Sequence, residues 1–341
     1  MSSQSLTSQT VAQPAATVAA GRDLVSIRDL SPIEVESIFH LAAMMKARPE
    51  DFRTTLDGKH IAMFFEKPSL RTRLTFEAGI CGLGGSVSFV DQRQERLDAR
   101  ETLADIAHNL ERWVSGIVLR TFSHGTVEGM AGFAAVPVVN ALSDLEHPCQ
   151  ALTDYFTLYE RYGNLKKICL AYVGDGNNVM HSLLLTAALL GSKIRIATPE
   201  GYGANAQILA DAHEIAKQTG AKIELMSDPH KAVRGADAVY TDAWVSMGHE
   251  GETDERNRIF PPYQVNDELM AGAAAHGVFM HCLPAHRNEE VTDAVIDSAR
   301  SIVFDQAENR LHIQKAILAM LMGGSENNHD HKQKPTRSTH A

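Results

Sequence analysis

Long apolar runs are missing from this chain. In 341 residues no uninterrupted stretch reaches the ~18 apolar residues that a membrane-spanning helix needs. Positive charge is also short: 32 Lys and Arg against 42 Asp and Glu leave a formal net charge of -10, which disfavours binding to nucleic acid. Cysteine is scarce. Cys81, Cys149, Cys169 and Cys282 have no paired spacing, and they fit reduced thiols in a cytoplasmic protein better than a disulfide framework. Residues 1–21 carry no charged side chain, no basic n-region and no apolar h-region. Neither a secretory signal nor an Arg-rich transit peptide is expected there, and residues 1–23 read as a disordered tail. Residues 324–341 read the same way; His329, His331 and His340 are too scattered in that polar stretch to predict a metal site. A hydrophobic fraction of 44% is ample for proper cores, and the length suggests two domains.

Strand and helix patterns alternate along the chain. Ser31-Pro32-Ile33-Glu34 is a capped helix start, with Ile38, Leu41, Ala42 and Met45 on one face. Ile61 to Phe65 and Val87 to Val90 read as strands flanking a helix. Asp91 to Arg100 reads as a loop, Glu101 to Trp113 as a helix, and Val114 to Leu119 and Val136 to Ala141 as strands. A long helix opens at His147-Pro148 and runs to about Tyr162. Beyond it come strands Ile168 to Val173, Ile194 to Ala197, Lys222 to Met226, Ala238 to Thr241, Val278 to His281 and Ser301 to Phe304. Helices His181 to Leu190, Asn205 to Thr219 and Asn309 to Met322 lie among them. The fold class expected is α/β: two domains, each a parallel sheet covered by helices on both faces, joined by the long helix. In such sheets ligands gather beyond the carboxyl ends of the strands.

Several strand ends carry polar chemistry. After Phe65, Pro68 breaks the strand, Ser69 is a good N-cap, and a helix follows with Leu70, Arg71, Thr72 and Arg73 in its first turn. Free N–H groups, hydroxyls and a guanidinium at one helix start suit a phosphate. At ~100° per residue, Arg71 and Arg73 point about 200° apart, so Arg71 is assigned to the anion and Arg73 to an ion pair. These residues by themselves equally fit a capped helix with a solvated basic turn. Arg120 lies just past another strand. His147 and Gln150 share a helix face, and could equally be a capping His and an ordinary Gln. Gly174-Asp175-Gly176-Asn177-Asn178 follows a strand as a dinucleotide fingerprint would. However, Val179 occupies the position of the third glycine, and Thr198-Pro199 separate Glu200 from its strand.

Taken together, Ser-x-Arg-Thr-Arg at Ser69, His-Pro-x-Gln at His147, Gly-Asp-Gly-Asn-Asn at Gly174, Asp242 with Ser246-Met247-Gly248, His281-Cys282-Leu283-Pro284 and Glu308-Asn309-Arg310 resemble, in order, the motifs of the aspartate and ornithine carbamoyltransferases, on the ornithine side. The likeness runs from about Leu24 to Met322. It implies carbamoyl transfer from carbamoyl phosphate to the δ-amine of L-ornithine, with no cofactor and no metal. By that resemblance Ser69, Leu70 (through its backbone), Arg71, Thr72, Arg120, His147, Gln150, Cys282, Leu283 and Arg310 contact carbamoyl phosphate. Asn178, Asp242, Ser246 and Met247 hold ornithine, and Arg120, His147, Asp242 and Cys282 carry the catalysis, with Cys282 not a covalent nucleophile. It also implies a carbamoyl phosphate domain over 24–150 completed by a helix at 306–323, an ornithine domain over 151–305, and a homotrimer or multiple of trimers in the cytoplasm serving arginine metabolism. The sequence departs from the family at Leu70, where relatives usually have Thr. It departs again at Gln94–Asp98, where Arg96 stands closest to a residue that reaches the neighbouring subunit. Transfer to an acyl-ornithine or putrescine, or a nicotinamide-dependent dehydrogenase, are the competing readings.

Overall fold

The computed structural model describes residues 21–92, 96–245 and 250–323. Strands β1 (His60–Phe65), β2 (Ser86–Asp91), β3 (Gly116–Arg120) and β4 (Val138–Leu142) form one sheet in the order β2-β1-β3-β4. Strands β5 (Cys169–Val173), β6 (Lys193–Ala197), β7 (Lys222–Met226), β8 (Ala238–Tyr240) and β9 (Val278–Met280) form a second, in the order β7-β6-β5-β8-β9. Every pairing is parallel. Parallel neighbours need crossovers, and the helices that supply them cover both faces.

The alternation of side chains along a strand divides the cores. Ile61, Met63 and Phe65 of β1 face one cluster and Ala62 and Phe64 another. In β5, Leu170 and Tyr172 face the first cluster, while Cys169, Ala171 and Val173 face a third. The first cluster is continuous across both sheets. Helix Pro148–Tyr162 contributes Leu152, Tyr155 and Phe156 to it, and helix Asn178–Leu190 contributes Leu183 and Leu184. Burying one such apolar side chain is worth about 1.5–3 kcal/mol, so this shared core holds the two sheets against each other. The last helix, Val303–Met322, returns to pack on helices Pro32–Ala47, Leu70–Gly82 and Pro148–Tyr162. Ser31 and Glu34 form the expected capping box. No helix among the described residues is long and apolar enough to cross a membrane.

Several expectations are corrected. Ser301 to Phe304 is not a strand: Ser301 makes one isolated bridge to Phe279, and Val303 already belongs to the last helix, which begins six residues before Asn309. The helix expected over Glu101 to Trp113 is Leu103–Leu110, started by the Thr102 hydroxyl accepting from the Asp105 N–H. The helix after β5 begins at Asn178, three residues before His181, because Asn177 caps it. Arg120 is the last residue of β3 rather than one past it, and helix His124–Phe133 was not foreseen.

Strand order reverses once in each sheet, beside β1 and β3 and beside β5 and β8. Crevices open at the carboxyl ends of the strands at such points. The two crevices face each other and form one cleft of about 820 Å³.

Candidate active site

The first wall of the cleft follows from how β1 ends. Glu66, buried, accepts from the N–H groups of Phe122 at 2.8 Å and Leu97 at 3.1 Å. It thereby ties the turn after β1 to the segments after β2 and β3. The Ser69 hydroxyl accepts from the Thr72 N–H at 3.2 Å, and helix Leu70–Gly82 starts facing the cleft. Arg71 lines the cleft, whereas Arg73 points outward, paired with Glu77 at 2.9 Å and stacked on Phe89 at 3.8 Å. Arg120 joins Arg71 from the end of β3, and Arg310 joins from the last helix.

None of these three guanidinium groups forms an ion pair with a carboxylate among the described residues. Burial pushes the pKa of Arg120 down to about 9, with Arg310 and then Arg71 adding like-charge repulsion. Burial also lowers Arg71 and Arg310. A desolvated cluster of like charge is costly without an anion among it. Arg310 itself is held in place by donating to the Thr72 hydroxyl at 2.6 Å and to the Gln150 side-chain oxygen.

His147 caps helix Pro148–Tyr162 without a side-chain cap bond, and its N–H donates to the Ser182 hydroxyl at 2.9 Å. Burial, then Arg310 and Arg120, hold the imidazole pKa well below its usual value. The ring is therefore neutral at physiological pH, and its buried Nδ1 has no hydrogen-bond partner among the described residues. Gln150 sits one turn on, and its Nε2 donates to Asp154 at 2.8 Å.

The second wall is built from the ends of β5, β8 and β9. Asn177 accepts from the N–H groups of Val179 and Met180, and through Nδ2 donates to Asp242 at 2.7 Å. Asn178 starts the helix and donates to the Ser143 carbonyl at 2.6 Å, tying this wall to the loop after β4. Asp242 also accepts from the Cys282 thiol at 3.0 Å and from the Ala243 N–H at 2.9 Å. Burial and the Asp242 charge push the Cys282 pKa well up, so the sulfur stays a thiol. Leu283 has a left-handed φ of 59° and precedes a cis peptide bond to Pro284; both residues line the cleft. Ser246 and Met247 lie outside the described residues, as does Gln94. Arg96 is exposed and paired with Asp98 at 3.2 Å. Leu70 is 71% exposed at the cleft margin.

Several residues at the site were given no role of their own by the sequence. Arg256 donates to Asp175 at 2.9 Å and to the Trp244 carbonyl at 2.7 Å, clamping the turn after β5 to the loop after β8. His281 accepts from the Leu283 N–H at Nδ1, 2.8 Å, and its Nε2 faces Glu290 at 3.1 Å. Asp242, His281 and Cys282 place ligand atoms within 4.8 Å of one another, but both His281 nitrogens are engaged, so this set reads as a hydrogen-bond network. The glycines of the fingerprint-like turn are explained by packing. A Cβ on Gly176 would lie 2.3 Å from the Gly203 carbonyl oxygen, and Gly174 takes a φ of 142°. Asp175, Gly176, Asn177 and Asn178 of this turn line the cleft.

Comparison with known proteins agrees with this geometry. Residues 22–160 match the family described as aspartate/ornithine carbamoyltransferase, carbamoyl-P binding domain, and residues 166–321 match its Asp/Orn binding domain. The chain is 50% identical over 310 residues to an ornithine carbamoyltransferase of Thermococcus kodakarensis, covering 89% of this chain and 98% of the relative. It is 48% identical to the anabolic ornithine carbamoyltransferase of Pyrococcus furiosus, covering 89% of this chain and 98% of that relative. The solved structure of ornithine carbamoyltransferase from Pyrococcus furiosus superposes with a TM-score of 0.86 at 48% identity, over 89% of this chain and 98% of that one.

Proposed function

The chain belongs to the aspartate/ornithine carbamoyltransferase family, and from that premise we propose that it transfers the carbamoyl group of carbamoyl phosphate to the δ-amine of L-ornithine, releasing citrulline and phosphate. The observation that carries the reading is the set of three guanidinium groups, Arg120 and Arg310 buried and Arg71 half-buried, facing the same cleft as Asp242 and with no carboxylate pairing them among the described residues. One wall suits a phosphorylated donor and the other a cationic acceptor.

In this reading the phosphate sits at the start of helix Leu70–Gly82. The Ser69 and Thr72 hydroxyls, the Leu70 and Arg71 N–H groups and the Arg71 guanidinium receive it. Arg310 holds Thr72 and Gln150 and adds charge from behind. Arg120, neutral His147 and Thr72 donate to the carbonyl oxygen as it gains negative charge; one such donor is worth roughly 10²–10³ in kcat. A neutral imidazole keeps an N–H to donate without adding a fourth cation. The Gln150 side-chain oxygen and the Leu283 carbonyl accept from the carbamoyl amino group.

Ornithine's α-amino acid end is held by Asn178, Asp242, Ser246 and the Met247 backbone. Its δ-amine has a solution pKa near that of Lys, ~10.4, and must lose a proton to attack. Asp242 and the Cys282 thiol orient the amine, whose nitrogen bonds to the carbonyl carbon. Collapse of the tetrahedral intermediate breaks the C–O bond to phosphate, and the departing phosphate takes up the amine proton. Closing the cleft would keep water from the labile donor.

The proposal extends to two domains, 24–150 completed by 306–323 and 151–305, and to a cytoplasmic homotrimer or multiple of trimers in arginine biosynthesis. Exposed Leu70 and Leu74, at 71% and 53% on one helix, support an interface there, and the anabolic relative supports the biosynthetic direction. The test is citrulline formation from carbamoyl phosphate with L-ornithine, against N-acetylornithine, putrescine and aspartate in parallel. Turnover with ornithine alone is expected. Turnover only with an acylated amine or putrescine would refute the assignment of the acceptor wall.

A further inference from the structure

Behind the cleft lies a buried carboxylate that the mechanism above leaves unused. Asp154, one turn beyond Gln150 on helix Pro148–Tyr162, is fully buried. Its Oδ1 accepts from Gln150 Nε2 at 2.8 Å and from Gln306 Nε2 at 2.9 Å, and its Oδ2 accepts from the Tyr240 hydroxyl at 3.0 Å. The two glutamines are fixed from their other ends by groups that can only donate. Arg310 donates to Gln150 Oε1, and the His281 N–H donates to Gln306 Oε1 at 3.0 Å. A carboxylate is the group that completes this pattern, because it accepts and offers no hydrogen.

We propose that Asp154 is the positioning residue that makes the site selective for a carbamoyl amino group: by taking the NH2 ends of Gln150 and Gln306, it turns the Gln150 oxygen towards the donor and anchors the His281–Pro284 segment that carries the Leu283 carbonyl. Both acceptors for the amino group then depend on one side chain that touches neither substrate. Without it, the NH2 end of each glutamine loses its acceptor, and only the contact from Arg310 or from the His281 N–H is left to hold the amide against a half-turn. Gln150 would then present N–H groups to a substrate that also presents N–H groups. The inference rests on the reading that carbamoyl phosphate occupies the cleft. It adds a physical source for discrimination against acyl phosphates that carry a methyl where carbamoyl phosphate carries NH2.

The test compares two stable analogues that differ only at that position, phosphonoacetamide and acetonylphosphonate, by calorimetric titration. The unsubstituted protein should prefer the amide roughly 10- to 100-fold, the scale expected when buried acceptors lose their donor. Asp154→Leu should reduce the preference to within about threefold, with the amide losing most of the affinity. Asp154→Asn should keep it, since Tyr240 can accept as readily as donate, leaving the Asn oxygen to the two glutamines. Should Asp154→Leu fail to fold, Gln306→Met cuts only the arm to Leu283 and should lower the preference by roughly three- to tenfold. Equal loss of both analogues in Asp154→Leu would make the residue merely structural and overturn the proposal, as would loss of preference in Asp154→Asn or an unchanged preference in Gln306→Met. A wild-type protein that binds neither analogue and makes no citrulline would overturn the functional reading instead.

Discussion

Replacing Arg120 by Met should make the protein more stable and inactive at once. Arg120 is 5% exposed, and burial with two neighbouring guanidiniums brings its pKa down to about 9. A guanidinium ordinarily sits above 12, so at ~1.36 kcal/mol per pH unit the folded site opposes the charge by about 4 kcal/mol. The sign follows from a depressed basic pKa. The cost is fully present below the folded value near 9, and fades only as pH rises beyond it, so at pH 7.5 it is all there. Water in the open cleft offsets part of it, and a methionine keeps most of the stem's packing. A gain of about 1–3 kcal/mol is expected, or a rise in Tm of about 2–6 °C at this chain length. Activity should fall at least ~10²-fold with the lost oxyanion donor. The assay is thermal unfolding with and without phosphonoacetamide, alongside citrulline formation. The wild type should gain about 2.7 kcal/mol of stability at 100 times the ligand's Kd, and Arg120→Met should gain far less at the same concentration. A variant that melts several degrees lower, yet keeps the full ligand-induced shift, would refute the view of Arg120 as an uncompensated charge held for an anion.

Three other outcomes follow from the same geometry. Arg71→Ala should lower kcat/KM for carbamoyl phosphate at least ~10²-fold while Arg73→Ala, which breaks an exposed pair worth about 0.3–0.5 kcal/mol, changes it less than about threefold; equal losses in steady-state kinetics would contradict the assignment of Arg71 to the anion. Brief maleimide labelling at pH 7.4, read by peptide mass spectrometry, should mark exposed Cys81 well before Cys282, whose pKa is raised by burial and Asp242; faster labelling of Cys282 would mean a thiolate and a different role for it. Burial raises the Asp154 pKa to about 6, against ~3.9 unfolded, so the folded state binds this proton more tightly and the wild type loses up to about 3 kcal/mol relative to Asp154→Asn as pH rises from about 4 to 6. Urea unfolding at pH 5 and pH 8 should show the gap widening, and a pH-independent gap would contradict the burial argument.

The local signals in this chain were legible because they depend on neighbours in sequence. Ser69 before an apolar helix face, Ser31 with Glu34, and polar residues at strand ends are short-range physics, and the structure places Ser69, Arg71, Arg120, His147, Gln150, Asp242 and Cys282 on one cleft. What stayed hidden depends on pairs far apart. Asn177 with Asp242, Arg256 with Asp175, and Asp154 with Gln306 and Tyr240 are partners set by strand order, and no spacing rule reaches 152 residues. A Gln–Asp pair four apart on one helix face was the one local hint of Asp154. Ser301 to Phe304 misled for a different reason. A short apolar run has no decisive period, and here helix Val303–Met322 captures it after a single bridge at Ser301. Helix His124–Phe133 was missed because three glycines, Gly125, Gly129 and Gly132, dilute its pattern, although the Leu103 side chain packs close against Gly129, where a Cβ would meet it at 2.8 Å.

The central claim is that one cleft binds an anionic carbamoyl donor on Arg71, Arg120 and Arg310 and an amine-bearing amino acid on Asp242 and its neighbours. It is tested most directly by titrating the protein with a single molecule that joins both halves, δ-N-phosphonoacetyl-L-ornithine, beside its aspartate counterpart. The ornithine compound should bind at least ~10²-fold more tightly than phosphonoacetamide, because the second half binds without a second loss of translational freedom, and the aspartate compound should not gain. An ornithine compound no tighter than phosphonoacetamide, or an aspartate compound that binds better, would contradict the account.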